Sequence, residues 1–372
     1  MAKKPPLEYS ILYTATLCLL AAGAVMVYSA SSAESLLDGP GDASHYLKRY
    51  LLFAALGLVA LHALSRVGLK GLRQATPIIL TVAFGLTVAV MVPGIGREVN
   101  GASRWLGAGP LVFQPSELLK IALILYAVTV LSRRGKLQLK PILIVTGVAC
   151  TLLMVQPDMG TSIVVCMSMA ALLIAAGIPL KTLGKILGIL FVLALIVALI
   201  EPYRRARMTA FIDPWADASG DGFQTVQSMI AVGSGGVFGH GLGESVQKIF
   251  YLPEAHTDMI LAIIGEEVGL IGIIAVAALY AFLGYAGLRA AKAARDRYGK
   301  LLAAGLTSLL MSQATLNLFA VLGMAPLTGV PLPFISYGGT NLIVLLGAMG
   351  LVLNVAKTPL RGIDGGRKRD PR

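Results

Sequence analysis

Residues 258–288 read DMILAIIGEEVGLIGIIAVAALYAFLGYAGL, a run of thirty-one residues with only three charged side chains, Asp258, Glu266 and Glu267. A helix that crosses a bilayer needs about 20 largely apolar residues. This run is long enough to span, and a charge inside such a span is costly and by default functional. The rest of the chain has the same character. Of its 372 residues, 56% are hydrophobic and 13% charged, with a mean hydropathy of +0.78. Soluble proteins carry about 25% charged residues. The composition excludes the soluble, disordered and disulfide-scaffold classes and overrides a division by length alone. We read an all-α, polytopic membrane protein, one domain over residues 1–372.

Nine further apolar runs join the first. The ten expected spans are 9–30, 50–65, 74–93, 115–132, 141–157, 160–178, 183–201, 258–288, 300–324 and 337–356. The first lacks a cleavage site before a soluble region, so it reads as an anchor rather than a signal peptide. Spans five and six meet at Gln156-Pro157-Asp158-Met159-Gly160, which leaves room only for a tight hairpin. The net charge of +12 follows topology rather than nucleic-acid binding. With both termini in the cytoplasm, 22 of the 31 lysines and arginines fall inside, among them Lys3, Lys4, Arg134, Lys136 and the basic tail 358–372, as the positive-inside rule requires. That tail suits anionic lipid head groups. Three segments then lie outside: about 94–114, the long loop 202–257, and 325–336. The long loop holds Phe211, Trp215, Phe223, Phe238, Phe250 and Tyr251, which favours an ordered, partly membrane-associated element. Cys18, Cys150 and Cys166 each sit inside an apolar run without metal spacing and read as small buried hydrophobes. No internal repeat is evident.

The few polar groups near the spans are the candidates for chemistry. Glu117 and Lys120 are three apart and share a helix face, as a structural ion pair or as part of a site. Asp158 is a site residue or the cap of a helix. Glu266 and Glu267 are adjacent and cannot face the same way, so at least one hydrogen-bonds inside the bundle. Asp258 stands at the mouth of its span, where either Thr257 or Asp258 could cap the helix, and His256 nearby could act as a base. Gly233–Gly243 holds six glycines without the ending of a phosphate loop and reads as a flexible connector. Arg204, Arg205 and Arg207 run against the charge rule, as a solvated cluster or as the partners of an anion. These residues suggest an anionic, amphipathic, lipid-like substrate without saying whether it is moved or modified.

Eight stretches carry a more specific reading: VNGASRW (99–105), QPSELLK (114–120), QPDMGT (156–161), RMTAFIDPW (207–215), GFQTVQS (222–228), AVGSGG (231–236), GLGESVQKIFYLPEAHTDMILAIIGEEVG (241–269) and GMAPLTGVPLPFISYGGT (323–340). In this order, over nearly the whole chain, they resemble the SEDS family (shape, elongation, division and sporulation). Within it the division branch, FtsW-like, is the nearer, and Ala255 in place of arginine speaks against the RodA-like elongation branch. The resemblance implies a peptidoglycan glycosyltransferase that polymerises lipid II on the outer face of the cytoplasmic membrane during septal wall synthesis. It implies that Asp258 is the essential aspartate and that Glu117, Lys120, Asp158 and Ser336 belong to the central cavity. It also implies a class B penicillin-binding protein, a transpeptidase, as partner, with other division proteins.

The chemistry suits these positions. A sugar hydroxyl is a poor nucleophile, and a carboxylate acting as general base helps it attack. The leaving undecaprenyl pyrophosphate needs cations or oriented donors. Arg204, Arg205, Arg207 and Lys248 are the expected cations, with a divalent ion such as Mg2+ or Mn2+ as a further expectation. Alternatives are a lipid II flippase, a RodA-like elongation polymerase and a non-catalytic scaffold.

Overall fold

The computed structural model describes residues 6–37, 39, 41–99, 102–108, 111–133, 138–200 and 202–357. The termini with Lys3, Lys4 and the basic tail lie outside the described residues, as do Arg134, Lys136 and the side chain of Arg204.

The elements in chain order are α1 (Leu7–Leu37), α2 (His45–Leu64), α3 (Leu69–Ala89), β1 (Gly96–Val99), β2 (Ala102–Ala108), β3 (Leu111–Phe113), α4 (Pro115–Leu131), α5 (Leu139–Val155), α6 (Met159–Ala175), α7 (Leu180–Ile200), α8 (Pro202–Ile212), α9 (Phe223–Ser234), α10 (Ile260–Lys292), α11 (Arg297–Val321) and α12 (Gly339–Lys357). Each of the ten apolar runs lies on a helix. Among the described residues, six helices (α1, α2, α3, α10, α11 and α12) are long and apolar enough to cross a membrane, and α5 and α6 are shorter apolar helices. The protein is therefore a mostly helical chain with several membrane-length spans.

Local sequence explains the helix boundaries. Pro115 opens α4, where a missing N–H costs nothing. Asp158 accepts from the Thr161 N–H at 3.1 Å and caps α6. Asp296 accepts from Gly299 N–H at 3.1 Å and caps α11. A helix apolar all round belongs in the interior, and α4 obeys: only Leu118 and Tyr126 escape full burial. It packs against α3 and α11, while α11 also meets α6, α10 and α12, and α1 lies along α10 and α2. On α2, α3 and α5 the outward faces carry exposed Leu51, Val59, Ile78, Val82, Ile144 and Val148, which suits hydrocarbon rather than water.

Two expectations need correction. The fold is not purely α. Gly96–Val99, Ala102–Ala108 and Leu111–Phe113 form a three-stranded antiparallel sheet, β1-β2-β3, with Arg97 opposite Trp105 and Leu106 opposite Phe113. Arg104 on β2 donates from Nε to the Gln156 carbonyl at 3.0 Å and from Nη2 to the Pro157 carbonyl at 2.5 Å. The sheet thus covers the α5–α6 turn and satisfies its free carbonyls.

The glycine-rich segment is not a free connector either. Helix α10 breaks at Gly269 (φ 76°, ψ −165°), and the break leaves backbone groups that must be paired inside the bundle. Residues 236–241 supply the partners. Leu270 and Ile271 donate to the Gly236 and Val237 carbonyls at 2.9 and 3.3 Å, while His240 and Gly241 donate to the Glu266 and Glu267 carbonyls at 3.0 and 2.9 Å. The approach is so close that a Cβ at Gly235 or Gly239 would collide with the α10 backbone.

Candidate functional site

Asp258 lies in a series of tight turns, in which Leu252 donates to Gln247, Thr257 to Glu254 and Met259 to Glu254 through the backbone. The helix begins only at Ile260, with Met259 at the capping position and no side-chain cap. Capping by Thr257 or Asp258 is therefore ruled out, and the Asp258 carboxyl is left for other work. Thr257 Oγ lies 3.2 Å from Asp258 Oδ1 and 2.8 Å from Glu254 Oε2, so one hydroxyl proton serves two carboxyls. Burial, together with the neighbouring charge of Glu254, pushes the Asp258 carboxyl up to about 7, against the opposing pull of Thr257 and Arg207. A carboxyl tuned to neutral pH is what a general base requires.

The backbone at Asp258 is fixed from α11. Asn317 Nδ2 donates to the Asp258 carbonyl at 2.7 Å and to the Val330 carbonyl at 2.9 Å. It thereby joins the Asp258 segment to the 322–338 loop. Gly329 of that loop has φ +65°, and a Cβ placed there would stand 3.9 Å from Asp258 Oδ2. The same loop is held from below by Tyr50, which donates to the Phe334 carbonyl at 2.5 Å, and by Tyr280, which donates to the Pro333 carbonyl.

A second group is buried beside it. Glu117 Oε1 and Lys120 Nζ are 3.0 Å apart, and both side chains are almost wholly enclosed. Asn341 donates to Glu117 Oε2 at 2.7 Å, and Lys120 donates to Gln313 Oε1 at 2.9 Å. Gln313 in turn donates to the Pro331 carbonyl at 2.9 Å. Ser336 Oγ accepts from Leu332 N–H at 2.8 Å within the same loop. Glu117, Lys120 and Ser336 thus share one network, linked to Asp258 through Gln313, Asn317 and the loop. Gln313 and Asn317 escaped the sequence reading, yet two amides four apart in an apolar span share a face and are a recognisable signal. Asp158 spends one oxygen on its cap. Its buried Oδ2 has no hydrogen-bond partner among the described residues, and the 322–338 loop lies over the adjoining Gly160 at Thr328 and Val330.

The expected cations separate. Arg207, on α8, donates from Nη1 to the Leu327 carbonyl at 3.2 Å, and its charge reaches Asp258. Arg205 is exposed on the same helix. Lys248, expected beside a pyrophosphate, is instead buried, with Nζ 2.8 Å from Glu267 Oε1, 2.7 Å from the Gly243 carbonyl and 3.1 Å from Ser29 Oγ. Its three donors are used, so it holds the loop against α1 and α10. Glu266 does the same one residue earlier, accepting from Ser245 Oγ at 2.5 Å and Val246 N–H at 2.9 Å. His256 packs against Tyr46 with the rings tilted at 40° and their centroids 4.3 Å apart, and Nδ1 is 3.3 Å from Glu34 Oε2. It ties the Asp258 segment to the end of α1.

Between α8, the start of α9, Pro253 and Leu327 lies a cavity of about 290 Å3, with Arg207, Asp221, Gln224 and Thr225 among its polar lining. Among the described residues no three His, Cys, Asp or Glu converge.

Comparison with known proteins agrees with this architecture. The family of cell cycle proteins FtsW/RodA/SpoVE matches residues 10–359. "Stage V sporulation protein E" of Bacillus subtilis (strain 168) is 38% identical over 356 residues, covering 93% of this chain and 96% of that protein. "Probable peptidoglycan glycosyltransferase FtsW" of Geobacter sp. (strain M18) is 41% identical over 353 residues, covering 91% and 94%. Among solved structures, a chain from "Structural coordination of polymerization and crosslinking by a peptidoglycan synthase complex" superposes with a TM-score of 0.76 at 30% identity, covering 94% of this chain and 98% of that one. The rod shape determining protein RodA of Thermus thermophilus gives 0.70 at 27% identity, covering 94% and 97%.

Proposed function

Because the chain belongs to the FtsW/RodA/SpoVE family, we propose that it is a peptidoglycan glycosyltransferase of the SEDS type. It polymerises lipid II into glycan strands and releases undecaprenyl pyrophosphate, in septal wall synthesis at the outer face of the cytoplasmic membrane. Asp258 carries the reading. It is a carboxyl freed from capping, half-buried ahead of a membrane-length helix and tuned to about 7.

In this reading Asp258 takes the proton of the acceptor hydroxyl as that oxygen attacks the anomeric carbon of the donor. One inverting displacement converts the α-linked donor to a β-linked product. Arg207, with Arg204 and Arg205 on the same helix, meets the pyrophosphate as its charge grows. The Glu117–Lys120 pair, Asp158 and Ser336 order the cavity walls, and His256 holds the Asp258 segment in place. Ten helices cross the membrane with both termini cytoplasmic, and the lipid tails lie between spans. A class B penicillin-binding protein and other division proteins are the partners, a reading supported by the likeness to a chain of a peptidoglycan synthase complex.

The test is polymerisation of lipid II by purified full-length protein, alone and with its transpeptidase, read as glycan strands on a gel. Asp258→Asn abolishes the strands while lipid II binding survives. Strand formation by that variant overturns the assignment, and movement of lipid II without product identifies a flippase.

A further inference from the structure

Two of the sequence stretches that run through the outer segment, GFQTVQS and the body of RMTAFIDPW, have no task in proton transfer or in the buried network. The fold brings them to one cavity. Ala210 and Phe211 of α8 and Phe223, Gln224 and Thr225 of α9 all line the 290 Å3 cavity. Its remaining wall includes Pro253 and Leu327. Both belong to segments that position Asp258: Pro253 to the turns before it, and Leu327 to the loop whose Gly329 stands opposite its carboxyl. Arg207, which lines the cavity, also exerts its charge on Asp258, and this links the cavity to the reacting group.

The lining combines three chemistries. Arg207 supplies a cation, Asp221, Gln224 and Thr225 supply hydrogen-bond donors and acceptors, and Phe211 and Phe223 supply apolar faces. An acyl chain has no use for the cation and the polar groups, and a bare anion has no use for the rings. A pyranose with hydroxyl and amide substituents and a phosphate at one end uses all three. The volume is near the lower bound of about 300 Å3 for small-molecule sites, which suits one sugar and its phosphate rather than a whole lipid-linked saccharide. In the donor of the proposed reaction the phosphate is bonded to the reacting carbon. One cation that reaches Asp258 thus serves both the ring and the leaving group.

We propose that this cavity is the subsite for the sugar-1-phosphate end of the donor, with Arg207 at the phosphate and Asp221, Gln224 and Thr225 at the ring substituents. This rests on the glycosyltransferase reading and adds binding residues that the reading does not use. The reacting bond lies in this subsite: the C1–O bond to pyrophosphate breaks as the acceptor oxygen bonds to C1, the acceptor's proton passes to Asp258, and undecaprenyl pyrophosphate leaves with the electron pair.

Two ligands separate the sugar from its anchor. Full-length protein carrying Asp258→Asn, which cannot turn over, is reconstituted in lipid discs, and its affinity is measured for lipid II and for sugar-free undecaprenyl pyrophosphate. Adding Gln224→Ala and Thr225→Val weakens lipid II at least about tenfold, as expected for one or two lost hydrogen bonds, and leaves undecaprenyl pyrophosphate unchanged. In the active protein the same pair raises KM for lipid II with kcat within about twofold. Thr225 is buried and Gln224 only half-buried, so Gln224→Ala alone carries the test if the pair lowers the melting temperature. Unchanged lipid II affinity in a folded variant overturns the subsite, and so does an equal loss for both ligands. If wild-type protein binds lipid II but never polymerises it, the glycosyltransferase reading fails while the binding comparison still decides the subsite.

Discussion

At the scale of single residues, the acidity of Asp258 is the most exposed commitment. Burial and Glu254 hold its carboxyl at about 7. A general base works only when deprotonated, so kcat/KM for lipid II rises with pH, passes its midpoint near 7 and levels above it. Glu254→Gln removes the like charge that favours the protonated form. The midpoint then moves to lower pH, which a pH–rate profile of the two proteins reads directly; superimposed profiles would take Glu254 out of the account. Spacing alone left this acid between a helix cap and a site residue, and only the resemblance to a known family singled it out. Its freedom from capping was not legible in the sequence, since Thr257, Asp258 and Met259 are all placed to begin a helix, and only the turns closed by Glu254 decide among them.

At the scale of elements, α10 and the glycine-rich segment form one unit. The break at Gly269 exposes backbone groups that residues 236–241 satisfy, and Glu266 and Glu267 then clasp the following loop through Ser245 and Lys248. Adjacent acids in a span announced a hydrogen-bonded partner inside the bundle, but both turn to the same loop rather than to different faces. Nothing in the run of glycines announced a partner, because the demand for small residues arises from the neighbouring backbone in three dimensions. Gly269→Ala meets both a left-handed φ and a collision with Gly239 and Val237, and costs at least about 1–3 kcal/mol, seen as a lower melting temperature in detergent. Lys248 offers a sharper test. Lys248→Met leaves the Glu267 charge buried without its cation, with Ser29 Oγ still donating to it, at a cost of about 3–5 kcal/mol. Adding Glu267→Gln removes that charge and restores most of the stability. The double variant keeps the wild-type KM for lipid II if Lys248 serves the loop; a folded double variant with a raised KM would return Lys248 to the pyrophosphate.

For the whole molecule, hydropathy made the helices legible and said nothing of the sheet. Each of the ten apolar runs falls on a helix, and six of these helices among the described residues have the length and composition that a bilayer demands. Residues 96–113 are short, glycine-rich and without sustained alternation, and their strands owe their place to the α5–α6 turn that Arg104 covers. The buried network was legible only at its charged end, where Glu117 and Lys120 stood out; Gln313 and Asn317 needed the packing of α11 to show what they join. Orientation is the property on which the site depends most, because a polymerase for the outer face must present Asp258 there. The proposed orientation, argued from the charge pattern, has α8 and the turn after it outside and the α10–α11 connection inside. Ser219→Cys and Arg295→Cys, both at exposed positions, introduced singly with Cys18, Cys150 and Cys166 replaced, report this in intact spheroplasts. A membrane-impermeant maleimide labels the first at once and the second only after the membrane is opened. The reverse pattern would turn the site toward the cytoplasm, where a lipid-linked precursor is supplied but no glycan strand is laid down.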